Sequence, residues 1–142
     1  MKLLVAELKT SLYQELTANS NAQIEAIRIH LYKHNSPVGS LSVSIADTNG
    51  RVVATSDTVA ISSISAVAFY HGYIRFLVSY PIRSGTTFRV YLNASGYTFS
   101  DAAYIGWCND FDLRKYGVGY SPSTSTRAAL DLEVWSKSER VR

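Results

Sequence analysis

The sequence predicts an all-β protein: a two-sheet antiparallel sandwich, jelly-roll-like in type. Two observations carry this. Apolar residues recur with period two in successive runs, and turn-forming residues separate those runs. A third supports them. The chain holds ten tyrosines against one methionine and one cysteine, and tyrosine suits the half-buried surface of a pleated sheet.

The elements follow in order. Leu4, Leu8 and Leu12 fall at helical spacing, but strands near 3–8 and 11–17 match the pattern of the rest. Ile27, Ile29 and Leu31 alternate with Arg28, His30 and Tyr32, which predicts a strand over 27–33. Ser36-Pro37-Val38-Gly39 makes a turn before Leu41, Val43 and Ile45, the apolar phase of a strand over 41–46. Asn49-Gly50 is a hairpin signal leading to a strand over 51–55. Val59 to Ile64 reads as an additional apolar strand. Ile74, Phe76 and Val78 mark a strand over 73–79, and the turn residues from Pro81 to Gly85 follow. Phe88, Val90 and Leu92 mark 87–93, closed by Ser95-Gly96. A short strand over 103–107 comes next. Ser121-Pro122-Ser123 opens a loop before Leu130, Leu132 and Val134, the apolar phase of 128–135. Ile29, Val43, Phe76, Val90 and Leu132 are therefore expected in the core.

The length bounds the organisation. A chain of 142 residues is the size of one domain and buries about 68–70% of its unfolded surface. The expectation is a single domain over 1–142, with an N-terminal segment 1–10 and a basic C-terminal tail 137–142. Net charge is +3 and the pI about 9.0. The Lys and Arg residues are scattered outside that tail, whereas nucleic-acid modules concentrate them, so no nucleic-acid partner is expected. Cys108 stands alone and forms no internal disulfide; it is either a small buried hydrophobe or a free thiol. The start Met1-Lys2-Leu3-Leu4-Val5-Ala6 mimics a signal peptide, but its apolar run stops at Glu7. No segment reaches about 18 apolar residues, so no membrane span is expected. These features point to production in the cytoplasm without a signal peptide.

Chemistry is sparse. His30 and His34 lie four apart, a metal spacing on a helix, but on a strand they sit about 13 Å apart, too far for one ion. No nucleophile elbow, phosphate loop or dinucleotide fingerprint occurs. The expectation is no enzyme, no catalytic residue, no metal and no cofactor. The run Trp107-Cys108-Asn109-Asp110-Phe111-Asp112 sets two carboxylates and an amide among aromatics. Three readings stay open for it: a polar turn, a sugar contact formed by Trp107, Asp110, Asp112 and Tyr116, or calcium ligation. An acid pair also admits a glycosidase reading, weakly, because the two Asp are only two residues apart.

Aromatics on the polar phase of their strands give the clearest functional hint. Tyr32, Tyr91 and Trp135 occupy that phase, and Tyr and Trp are enriched in interfaces. Either a partner or a second layer of the same chain covers them. Leu3, Leu4, Val5 and Leu8 form an apolar segment at the N-terminus. Such a segment adds to its own sheet or pairs with a neighbour. Leu3, Leu4, Val5, Tyr32, Tyr91 and Trp135 are thus the candidate interface residues.

The order of these motifs resembles a β-sandwich module of phage virion proteins and bacterial surface proteins. The resemblance rests on Tyr13-Gln14-Glu15-Leu16, Ile27 to Lys33, Pro37 to Ile45, Gly50 to Ser56, Phe76 to Pro81, and Gly85-Thr86-Thr87-Phe88-Arg89-Val90-Tyr91-Leu92. Tyr104-Ile105-Gly106-Trp107 and Tyr116 match its later strand and aromatic loop. It covers roughly residues 11–136. Phe88 stands where that pattern has Tyr, and the stretch from Ser56 to Phe76 carries extra apolar residues. The resemblance implies a virion structural protein, a small capsid cement or decoration protein on the particle surface. Its partners would be the major capsid protein or another virion protein, with homo-oligomerisation. It brings no catalytic residues. The alternative is a carbohydrate-binding module for surface or host attachment.

Overall fold

The structure, a computed structural model, describes residues 5–7, 12–35, 37–65, 69–96, 103–110, 129–130, 132–136 and 139–141. In chain order the strands are β1 (Val5–Glu7), β2 (Leu12–Thr17), β3 (Ala22–His34), β4 (Ser40–Ala46), β5 (Val52–Thr55), β6 (Val59–Ala60), β7 (Phe69–Ile82), β8 (Thr87–Ser95), β9 (Tyr104–Asp110), β10 (Ala129–Leu130), β11 (Leu132–Ser136) and β12 (Glu139–Val141). They form a seven-stranded and a five-stranded antiparallel sheet. The protein is an all-β sandwich.

The pairing is nested. β1 pairs with β9, β2 with β8, β3 with β7, and β4 with β5. These pairs fall alternately in the larger and the smaller sheet. Contacts of β3 with β9 and of β4 with β8 complete each sheet. This is the jelly-roll arrangement. β11 then lies beside the first half of β3, and β12 folds back on β11. Because β7 follows β3 along one edge, β9 and β11 share the other.

Period-two patterning explains the core. Ile29, Val43, Phe76, Val90 and Leu132, all expected inside, are fully buried. A bulge between Ile24 and Ala26 shifts the phase of β3, so that Ile24 and Ile27 both face inward. The hairpin read from Asn49-Gly50 is present as β4–β5. Its turn runs from Asp47 to Gly50, whose N–H donates to Asp47 O at 3.0 Å. Gly50 takes φ +84°, a conformation glycine adopts without penalty. The Asp47 carboxylate accepts the N–H groups of Asn49 and Arg51, each at 2.9 Å.

One alternative falls and two expectations change. Residues 5–7 and 12–17 are strands, which removes the helical alternative at the N-terminus. Val59 to Ile64 is not one strand: β6 holds only Val59–Ala60, and a 3-10 turn over Ile61–Ser63 follows. That turn buries both Ile61 and Ile64, a spacing of three that an extended strand cannot bring to one face. Within the tail 137–142, residues Glu139–Val141 form β12 on β11 rather than trailing free of the sheet.

Two polar side chains enter the interior. Gln14 faces inward opposite Val90 and donates from Nε2 to Glu15 O at 2.9 Å. Lys33 lies on the inward phase of β3 and is 5% exposed. Its Nζ donates to Ile64 O at 3.3 Å and to Ser65 O. Lys33 therefore closes one end of the core by holding the segment after the 3-10 turn.

Two stability predictions follow from this packing. Phe76→Ala empties the centre of the core and should cost about 3–5 kcal/mol in urea unfolding. Lys33→Ala strips two carbonyls of their donor and should cost about 1–3 kcal/mol. Arg83→Ser, in the exposed turn after β7, should stay within about 0.5 kcal/mol of the parent in the same assay.

Candidate functional site

The outward phase of β3 builds the site. Arg28, His30, Tyr32 and His34 alternate with the buried Ile27, Ile29, Leu31 and Lys33. From Arg28 to His34 the strand advances about 20 Å. Neighbouring strands add residues in register. Glu133 and Arg75 flank Arg28, Tyr73 lies opposite His30, Gly106 opposite Tyr32, and Tyr104 opposite His34. Trp135 and Leu77 flank Ala26, and Leu77 is 49% exposed.

At one end of this face, three rings cluster. His34 stacks on Tyr104 with centroids 5.0 Å apart and planes 26° from parallel. Tyr32 lies 6.3 Å from His34 and 6.1 Å from Tyr104. Gly106 stands opposite Tyr32. The Tyr32 hydroxyl is 3.5 Å from His34 Nδ1, a weak contact at the limit of bonding distance. In the middle, His30 stacks on Tyr73 at 5.0 Å and 22°, and the Arg28 guanidinium sits 5.1 Å from the Tyr73 ring centre. At the other end, Arg28 Nη1 donates to Glu133 Oε1 at 3.0 Å and Trp135 Nε1 donates to the same oxygen at 3.2 Å. Glu133 thereby fixes both an arginine and an indole.

His34 stacks on Tyr104 and His30 on Tyr73, so the rings support one another along the face. Arginine and aromatic side chains at half burial are the residue types that anchor protein interfaces. Among the described residues no three His, Cys, Asp or Glu side chains gather where a metal ion would sit, and no helix is long and apolar enough to cross a membrane.

The residues singled out from the sequence separate into different places. Tyr32 and Trp135 share this face. Tyr91 lies on the outer face of the smaller sheet, opposite Tyr13 and Ser44, so the three aromatics do not form one surface. Val5 pairs with Cys108 in the chain's own β9, which takes the strand-adding role the N-terminal segment was expected to lend to a neighbour; Leu3 and Leu4 lie outside the described residues. Trp107 is corrected as a sugar platform. It is fully buried, in phase with Ile105, and packs in the core. Asp110 ends β9, paired with Ala129; Asp112 and Tyr116 lie outside the described residues. Sequence reading passed over His30, His34, Tyr73, Tyr104, Arg28 and Glu133 as members of one surface. Their signal is phase within each strand, but the pairing that joins Arg28 to Glu133 spans 105 residues.

No family model matches the chain, and comparison with curated proteins and with solved structures likewise finds no match.

The Arg28–Glu133 contact is partly exposed, with side chains 40% and 16% accessible. A double-mutant cycle of Arg28→Ala and Glu133→Ala should give a coupling of about 0.2–1 kcal/mol, falling with added salt.

Proposed function

We propose that this protein is a non-enzymatic virion structural protein, a decoration or accessory subunit that stabilises a phage particle through protein–protein contacts. The observation that carries the binding part of this reading is the outer face of the larger sheet, where Tyr32, His34, Tyr104, His30, Tyr73, Arg28 and Trp135 form one surface on a rigid scaffold. The virion part rests on the sequence resemblance. The jelly roll adds a fold-level analogy, since it recurs in viral capsid and lectin domains.

Physical chemistry favours a protein partner for this face over a sugar. A sugar ring stacks on an aromatic face, and here one face each of His34 and Tyr104, and of His30 and Tyr73, is taken by its stacking partner. The ring edges suit the polar and apolar mixture of a protein surface. A stable interface buries about 1,600 Å² in total, which needs more than one strand. Tyr104, Tyr32, Tyr73 and Trp135 draw on four strands. Copies of this chain on a symmetric particle would repeat the contact.

The test is co-sedimentation of the purified chain with intact particles of the phage that encodes it. Binding should saturate at a fixed ratio to the major capsid subunit. Tyr32→Ala and Trp135→Ala should each weaken it about tenfold or more, and Arg83→Ser should not. Absence of co-sedimentation, or equal binding by all variants, contradicts the proposal.

A further inference from the structure

The outer face of the smaller sheet carries a second cluster, on the opposite side of the sandwich. In register across β2, β8 and β4, Tyr13 faces Tyr91 and Tyr91 faces Ser44; one pleat along, Glu15 faces Arg89. Three contacts hold the Arg89 guanidinium. Nε donates to Glu15 Oε1 at 3.2 Å, Nη1 donates to Tyr91 Oη at 3.4 Å, and Cζ lies 4.5 Å from the Tyr13 ring centre. The Tyr13 and Tyr91 rings are 4.9 Å apart and tilted by 45°. The Tyr91 hydroxyl most of all, with the Glu15 carboxylate adding to it, holds the Arg89 pKa above its ordinary value against the opposing effect of desolvation, which ranks between the two. At the next pleat Asn93 Nδ2 donates to Ser44 Oγ at 2.8 Å. Beyond Tyr91 the β4–β5 turn forms a rim: a side chain at Gly50 would begin 3.7 Å from the tyrosine hydroxyl.

We infer that this cluster is a binding site for a sugar that carries a carboxylate, of the uronic or sialic acid type. The inference does not depend on the docking role of the opposite face. Among the described residues, no acceptor meets Arg89 Nη2, and neither Glu15 Oε2 nor Asn93 Oδ1 has a donor. A held guanidinium with a free nitrogen suits a carboxylate, because the planar fork is already oriented. Glu15, half-exposed beside it, sets the second requirement. A phosphate dianion or a polyacidic peptide would meet its negative charge. A sugar with one carboxylate and neighbouring hydroxyls satisfies both groups: the carboxylate accepts from Arg89 and the hydroxyls donate to Glu15 and Asn93. The edges of Tyr13 and Tyr91 and the accessible part of their rings offer apolar contact to the sugar C–H groups. From Arg89 to Asn93 the strand covers about 13 Å, room for a short oligosaccharide. Trp107, buried in the core, is not part of this site.

The test is an NMR titration of the full chain with the methyl glycoside of galacturonic acid, with sialyllactose, and with the methyl ester of that galacturonoside as the uncharged control. At least one acidic sugar should shift the Arg89 Nε–H and the amides around Tyr13 and Tyr91 saturably, and the ester should not. Which acid binds separates the uronic from the sialic source. Arg89→Lys should weaken binding at least tenfold with the remaining amide spectrum unchanged. Tyr91→Phe, which keeps the ring and removes the hydroxyl that steers Nη1, should weaken it severalfold. Hexaglutamate should not bind the parent and should gain affinity in Glu15→Gln. No shift at millimolar acidic sugar, equal binding of the ester, tight binding of hexaglutamate to the parent, or full affinity in Arg89→Lys would each overturn the inference.

Discussion

The register of β3 is the constraint on which the rest depends. This strand of 13 residues is bonded along both edges, to β7 on one side and to β9 and β11 on the other. Its pleat sends Ile27, Ile29, Leu31 and Lys33 inward and Arg28, His30, Tyr32 and His34 outward. A slip of one residue would expose the aliphatic set and bury two histidines and an arginine. The core and the aromatic face are therefore two consequences of one register. The irregularity opposite Glu25, where two residues of β7 face one of β3, matters for the same reason: across it Ile24 and Ile27, three apart, both reach the core.

Nested pairing turns this register into a scaffold with two separate outer faces. β3 lies in the larger sheet and β8 in the smaller, and each is flanked on both edges. Their outward residues thus stand on rigid strands and point in opposite directions. Arg28 with Glu133 and Arg89 with Glu15 are similar in chemistry, each an arginine held by a carboxylate beside tyrosine. They differ in surroundings. Arg28 sits in a long row of stacked rings with an indole bonded to its partner, whereas Arg89 sits among serine, asparagine and a turn. The first setting fits a broad protein contact and the second a small polar ligand.

What the sequence revealed follows from locality. Alternation is a local property, and it located β3, β4, β7, β8 and β11 and their buried phase, down to Phe76 and Val90. The stretch from Val59 to Ile64 was misread because apolar content was weighed above spacing. Ile61 and Ile64 are three apart, which fits one turn of 3-10 helix and not a strand. Trp107 was misread because its carboxylate neighbours drew attention. Its phase with Ile105 already placed it inside. The composition of each face was not legible, because it depends on pairing between distant strands. Tyr32 and Tyr91 both sit on polar phases, and nothing local tells that one belongs to the larger sheet and the other to the smaller. Glu139–Val141 carries too little apolar pattern to announce β12; its pairing with β11 supplies the reason it is extended.

Thiol labelling along β3 tests the central claim most directly. In a Cys108→Ser background, single cysteines placed at each position from 27 to 34 would be reacted with a maleimide under native conditions. The account predicts alternation: positions 28, 30, 32 and 34 react quickly, and 27, 29, 31 and 33 react only at the rate of unfolding. Uniform reactivity, or alternation in the opposite phase, would contradict it, because the core and the aromatic face would then both be misassigned.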